Sequence, residues 1–381
     1  MLRDQTTPKS SKHLDAITRA VMKTSKKFDK QTSLTSATEV AALTTNEIIV
    51  GELLGTGGFN NVRQVRIEKT GFSSSNNVYA IKHLSNKVKK EFKSFRCGAV
   101  DLASEAKLLG ALNHKNIISL HGISKTFVSQ HVRLEDCGYF LILDRLYGTV
   151  DDKMELWRKQ ASERPRSPLG LLARRNAANV ERAAMMNRVR LVAHPVAEAL
   201  RYLHANRVIY RDLKPQNVGF AADGTIKLFD FGLAREIVDD ERRMTASTGS
   251  RRYMAPEVAF GDFYDVSADV YSFSIFLWEL MTLDKPFVHM SRTVHEELVL
   301  SGGLRPKVTK ATGSPRLQRL LQKGWSVNPA TRPTFATIVA ELREDIEEGK
   351  IDYDTPSASG EVKRDISPRS WPRLKYPARA A

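Results

Sequence analysis

The run Ile209-Tyr210-Arg211-Asp212-Leu213-Lys214-Pro215-Gln216-Asn217-Val218-Gly219-Phe220 crowds Asp212, Lys214 and Asn217 onto one short loop between apolar, strand-like flanks. A carboxylate, a cation and a carboxamide are thereby held at close quarters. A second carboxylate, Asp230, follows in Lys227-Leu228-Phe229-Asp230-Phe231-Gly232, where a strand-like run gives way to glycine. Asp230 and Asn217 offer oxygen ligands that suit Mg2+, an ion that takes few protein ligands and keeps phosphate and water in the rest of its shell. Transfer of a phosphoryl group asks for this set. It needs positioned phosphates, a cation to neutralise charge and a carboxylate to orient the attacking hydroxyl, with little covalent chemistry from the protein.

The elements that must position these groups are read from hydrophobic period. A β-rich region runs through Ile48 to Leu54, then Val62, Val65 and Ile67, then Val78 to Ile81. Ala103, Ala106, Leu109 and Leu112 recur at helical spacing, and Tyr139 to Leu143 returns to a strand. From about residue 190 the pattern turns helical: Val189, Val192, Val196, Leu200 and Leu203 mark one face, while Val270 to Leu280 is apolar nearly all round and predicts a buried central helix. The expected fold class is α+β, a small β lobe joined to a larger helical lobe near Leu146. The expected division is a mostly disordered basic tail over 1–46, a catalytic domain over 47–345 (47–146 and 147–345), and a mostly disordered basic tail over 346–381. An Arg- and Ala-rich insertion, about 151–187, reads as partly helical and partly loop.

On the loop and Asp230 motifs together, the chain resembles the protein kinase family. The resemblance implies that Asp212 is the catalytic base, that Lys214 contacts the transferred phosphate, that Asn217 and Asp230 bind Mg2+, and that ATP is the donor. It extends to the glycine-rich run Leu54-Gly55-Thr56-Gly57-Gly58-Phe59-Asn60-Asn61-Val62, where glycines let the backbone approach phosphates and Phe59 covers the site from water. Val78-Tyr79-Ala80-Ile81-Lys82 follows on a strand, so Lys82 would hold the α and β phosphates, partnered by Glu105, with Glu91 the poorer candidate. For the adenine, Leu143 is the implied gatekeeper, the backbone of Asp144 and Leu146 the hydrogen-bonding hinge, and Val62 and Ala80 the roof. Thr245, Ser247 and Thr248 stand in the activation segment as phosphorylation candidates opposite Arg211; Ser250 occupies the position where the family places a Thr or Ser that bridges Asp212 and Lys214. Asp269 and the Glu257–Arg332 pair take scaffold roles. Lys214 leans the type toward Ser/Thr, and Asn328-Pro329-Ala330-Thr331-Arg332-Pro333 is similar to tyrosine-kinase-like members.

Four positions depart from that pattern: Asn60 for the third glycine, Tyr210 for His, Asn328 for Asp, and Gly219 where an apolar side chain would underlie the adenine. Gly219 predicts unusual ATP affinity. Two other readings stay open. A pseudokinase scaffold would typically have lost one of Lys82, Glu105, Asp212, Asn217 or Asp230, and a small-molecule or lipid kinase would be expected to lack Ala255-Pro256-Glu257.

Composition bounds the rest. With 381 residues, 41% apolar and 27% charged, the chain can bury a sizeable core. No run reaches the ~20 apolar residues of a membrane span, and the first residues lack the apolar core of a secretory signal, so a cytoplasmic or nuclear address is expected. The two cysteines, Cys97 and Cys137, have no neighbouring ligand cluster, so neither a zinc site nor a disulfide framework is expected. The net charge of +16 gathers at Lys23, Lys26, Lys27 and Lys30, at Arg164, Arg166, Arg174, Arg175, Arg182, Arg188 and Arg190, and at Arg369, Arg373, Lys375 and Arg379. None of these clusters has the aromatic interleaving of a single-strand surface, so nucleic acid is not the expected partner; the resemblance implies a protein carrying a Ser/Thr acceptor. Nothing in the sequence signals an oligomeric state.

Overall fold

A computed structural model describes residues 11–34, 40–68, 78–125, 139–163, 171–237, 245–309 and 312–351. They divide into two compact units, one running up to Asn113 and resuming over Ile117–Tyr147, the other made of His114–Asn116 and the chain from Gly148 onward.

The first unit is a six-stranded sheet with helices. Helix α1 (Ser11–Gln31) precedes β1 (Ala41–Leu43), β2 (Ile48–Thr56), β3 (Asn60–Ile67) and β4 (Val78–Leu84). Helices α2 (Asn86–Lys89) and α3 (Phe92–Ala111) follow, then β5 (Leu120–Ser124) and β6 (Phe140–Leu143). The strand order is β1-β5-β6-β4-β3-β2. β1 runs parallel to β5 and every other pair is antiparallel. Leu43, Ile48, Val65, Ile67, Ile81, Phe140 and Ile142 form one buried cluster with Tyr79 against it.

The structure corrects the expectation of a mostly disordered tail over 1–46. Residues 11–31 form α1, which packs on α3 through Ile17 and Val21, spaced one helical turn apart and both buried. Burial of two such side chains contributes roughly 1.5–3 kcal/mol each. The outward face carries Lys23, Lys26, Lys27 and Lys30, and Lys107 of α3 bonds Asp29 at 2.8 Å.

The second unit is mainly helical. Helices α4 (Val150–Glu163) and α5 (Leu171–Arg188) lead through one π turn, Val189–Ala193, into α6 (His194–Ala205). Short strands β7 (Val208–Ile209), β8 (Val218–Phe220), β9 (Ile226–Leu228) and β10 (Arg235–Glu236) pair as β7 with β10 and β8 with β9. Helices α7 (Pro256–Phe260), α8 (Ser267–Thr282), α9 (Arg292–His295), α10 (Pro315–Gly324) and α11 (Phe335–Ile351) complete it. In α8 every residue from Ala268 to Met281 is buried, matching its all-round apolar sequence.

The described parts of the 151–187 insertion are helical. Thr149 and Asp152 cap the start of α4 reciprocally: Asp152 accepts from the Thr149 N–H at 2.8 Å, and the Thr149 hydroxyl accepts from the Asp152 N–H at 3.1 Å. Two arginines of this region are tied down rather than solvated. Arg158 donates to the Leu283 carbonyl, and Arg188 donates to the carbonyls of Leu280 and Met281 at 2.8 Å each, so cations cap the C-terminal end of α8. The basic C-terminal segment, Arg164, Arg166 and Cys137 lie outside the described residues.

Candidate active site

The glycine-rich run is a hairpin, β2 turning into β3 across Gly57, Gly58 and Phe59, closed by the Gly57 N–H on the Asn60 carbonyl at 2.6 Å. A Cβ added at Gly58 would meet nothing within 4 Å, so the turn leaves open space there for a ligand. Leu54, Gly55 and Thr56 lie on β2, with Gly55 opposite Val62. Val62 is opposite Lys82 across β3–β4, and Ala80 opposite Leu143 across β4–β6. Phe59, expected as a cover, lies beside Gly98 of α3, its Cβ 3.2 Å from where a Cβ on Gly98 would sit.

Lys82 donates to both oxygens of Glu105, at 2.8 and 2.6 Å, with 8% and 3% of each residue exposed. Glu91 instead begins α3 and accepts from the Ser94 hydroxyl. The adjacent His83 is held near a pKa of about 4, mainly by burial, and so is neutral and adds no second cation beside Lys82. Removing one member of a buried ion pair strands the other, at a cost of about 3–5 kcal/mol. Lys82→Met therefore lowers stability by about 3 kcal/mol in a denaturant melt. The double variant with Glu105→Gln recovers at least half of that while phosphate transfer stays absent in both.

The expected hinge residues follow β6. Leu143 and Leu146 are buried. Asp144 has a structural role that its sequence context does not announce: its carboxylate accepts from the Ser119 N–H at 2.9 Å and pairs with His121 at 2.8 Å, and its own N–H bonds the Ser119 carbonyl.

In the helical unit, Asp212, Lys214 and Asn217 converge. Asp212 is 3% exposed; its Oδ1 accepts from Ser250 at 2.7 Å, and its Oδ2 from Lys214 and Asn217 at 2.9 Å each. Lys214 also donates to Ser250 at 2.6 Å. Asn217 spends its amide hydrogens on Asp212, leaving its Oδ1 as the ligand oxygen of the amide. Arg211 adopts φ +71°, a left-handed conformation that strains a non-glycine residue. Asp269, fully buried on α8, offsets that strain by accepting from the N–H groups of Tyr210 and Arg211 at 2.8 Å each. Tyr210 fills the place expected for His: it is fully buried, packs edge-on against Phe231 at 5.2 Å, and donates its hydroxyl to the Phe229 carbonyl.

Asp230 sits at φ +60°, a region that Asp tolerates better than most residues, just before buried Phe231. Arg211 reaches forward to the Leu233 carbonyl at 2.6 Å and to the Thr245 hydroxyl at 3.2 Å. Ser247 bonds the Ala259 carbonyl and Thr248 the Thr245 carbonyl. Gly249 has φ +107°, and a Cβ there would lie 2.3 Å from the Arg211 carbonyl, so only glycine lets the segment press this close to the catalytic loop. Farther on, Arg332 donates to Glu257 bidentately, at 2.5 and 3.0 Å. Gly219 is buried on β8 in an isolated bridge with Thr149.

One supporting residue escapes sequence reading. His204 pairs with Asp269 at 2.9 Å across 65 positions, and no local pattern marks it. His spaced along α6 from an apolar stripe was the available signal, and it is a weak one.

A sheet with a glycine hairpin and a buried lysine–glutamate pair, together with a helical unit whose loop clusters Asp, Lys and Asn, defines a phosphotransferase-type fold. The model of the protein kinase domain matches residues 48–342, and the chain belongs to the protein kinase family. Among curated relatives it is similar to the serine/threonine-protein kinase STY17 of Arabidopsis thaliana, 43% identical over 41% of this chain and 27% of that protein. It is likewise similar to STY46 of the same plant, 40% identical over 40% of this chain and 26% of that one. TNNI3K of Rattus norvegicus, also named a serine/threonine-protein kinase, is 35% identical over 40% of this chain and 19% of its own. The chain thus matches about a quarter or less of the length of these relatives.

Proposed function

We propose that this chain transfers the γ-phosphoryl group of Mg-ATP to Ser and Thr hydroxyls of proteins. The observation that carries the reading is the pair of clusters themselves: Lys82 on Glu105 with two short bonds, and Asp212 bonded by Lys214, Asn217 and Ser250. Bound Mg2+ would neutralise phosphate charge, and the donor set fits it: a carboxylate on Asp230 and the free amide oxygen of Asn217, both hard oxygens. Lys82 holds the α and β phosphates, oriented by Glu105. Asp212 accepts the hydroxyl proton of the acceptor, and Lys214 meets the charge on the phosphate in transfer. The intact set argues against a scaffold without catalysis. A chelator test follows: label transfer from ATP to a generic acceptor protein is abolished by EDTA and restored by Mg2+. Transfer indifferent to EDTA would sink the reading.

The activation segment carries the regulatory part of the reading. Of the three candidate hydroxyls, Thr245 is the one bonded to Arg211. A phosphate there brings roughly −1.5 to −2 charges to that guanidinium and forms one to three charge-assisted bonds. Thr245→Ala is expected to lower phosphate transfer about 10-fold, to the level of phosphatase-treated wild type. Unequal rates for those two samples would place the regulatory phosphate elsewhere.

A further inference from the structure

Between two fixed points of the activation segment stand two adjacent arginines whose side chains form no ion pair or hydrogen bond among the described residues, Arg251 half-buried and Arg252 exposed. Upstream, Gly249 is pressed on the Arg211 carbonyl and Ser250 is bonded to Asp212 and Lys214. Downstream, the buried Tyr253 gives its hydroxyl to Glu279, and its carbonyl accepts from Ser272 at 2.7 Å. The backbone carrying the arginines is therefore held at both ends, with Arg252 exposed to solvent and Arg251 partly so.

Among the described residues, the nearby acids are already committed. Glu257 is taken by Arg332, and Glu279 by Tyr253, Lys285 and Arg158. His295 of α9 is buried near the two arginines, and burial, with the charge of Arg251 beside it, lowers its pKa; Glu296 is the acidic neighbour there, and its side chain pairs with Arg292. A cationic pair that has no partner among the described residues is thus fixed one and two residues along the chain from a serine that touches the Asp212 carboxylate. Consecutive Cα atoms lie about 3.8 Å apart, and an extended peptide advances at most about 3.3–3.6 Å per residue. A substrate whose hydroxyl sits at Asp212 consequently brings its neighbouring side chains within reach of Arg251 and Arg252.

We propose that Arg251 and Arg252 select acceptors with an anionic side chain, carboxylate or phosphate, within two residues of the phosphorylated hydroxyl. The proposal rests on the kinase reading above. Guanidinium binds both anions in bidentate geometry, and each exposed pair is worth a few-fold at most in isolation. Two together give a preference of about 5- to 10-fold, larger for a phosphate because of its higher charge.

The test uses the full chain with saturating Mg-ATP and peptides bearing one serine flanked, at one or two positions on either side, by Glu, phosphoserine, Ala or Lys. Wild type is expected to show kcat/KM about 5- to 10-fold higher for the best Glu peptide than for its Lys counterpart, with the gap shrinking at 0.5 M salt as exposed charges are screened. A phosphoserine peptide ahead of the Glu peptide would identify phosphate as the preferred anion, and the reverse order carboxylate. The charge-swapped variant R251E/R252E, checked for an unchanged melting profile, should invert the ranking and favour Lys; R252E alone, at the exposed position, should erase it. Equal use of Glu and Lys peptides by wild type, or a swapped variant that keeps the wild-type order, overturns the proposal and leaves the kinase reading standing. Absence of label on every peptide overturns both.

Discussion

Replacing Asp212 by Asn is expected to reduce phosphate transfer by about 100- to 10,000-fold, the range that a positioned general base contributes, while the protein stays folded. Asn has the same shape, and its oxygen can take the bonds from Lys214 and Asn217 that Oδ2 receives now. Its NH2 would then face Ser250, whose hydroxyl has a free lone pair to accept it while Lys214 still donates to the same oxygen. The Ser250 hydroxyl loses its acceptor and Lys214 its carboxylate partner, so the variant is expected to be less stable by about 1–3 kcal/mol and still to fold. Steady-state label transfer and a melting curve on the same preparation read the two effects separately. Equal transfer by the variant would refute the role assigned to Asp212.

The largest expected loss of stability comes from Arg332→Met. Arg332 has a fully buried side chain that grips both oxygens of Glu257, bonds the carbonyls of Ser267 and Ser326 at 3.1 and 3.0 Å, and lies 5.3 Å over the ring of Tyr271. Methionine keeps much of the volume but leaves Glu257 buried without a cation, at a cost of about 3–5 kcal/mol. That amounts to several degrees in melting temperature for a domain of this size. Adding Glu257→Gln to the same chain should return part of the loss, because the stranded charge is then gone. A single variant that melts with wild type would show that the pair is not needed to hold the Ala-Pro-Glu segment in place.

The chemistry was legible because it is local. Asp212, Lys214 and Asn217 fall within six residues, and the strand context of Lys82 comes from the β-rich run Val78 to Ile81 just before it. Glu105 was separable from Glu91 because only Glu105 lies inside the periodic apolar stretch that becomes the buried face of α3. What the residues did not announce depends on distant partners. Among the described side chains of α1 the buried apolar ones are Ile17 and Val21, in a helix rich in lysine, and they have meaning only against α3. β1 is three residues long and pairs with Gly122, Ile123 and Ser124, far along the chain, so no periodicity could reveal it. The same distance hides His204 from Asp269 and Asp144 from His121. In the basic insertion, composition registered Arg188 only as part of a charge cluster and passed over Arg158, yet both satisfy carbonyls at the end of α8.

The central claim is tested most directly by identifying the amino acid that receives the phosphate. Wild-type chain, Mg-ATP labelled in the γ position and a generic acceptor protein are incubated, and the label is then located by acid hydrolysis and phosphosite mapping. The account predicts phosphoserine and phosphothreonine in the wild-type reaction and neither with Asp212→Asn. Label on tyrosine alone, or no label from a wild-type protein that ATP nevertheless stabilises against heat, would contradict it.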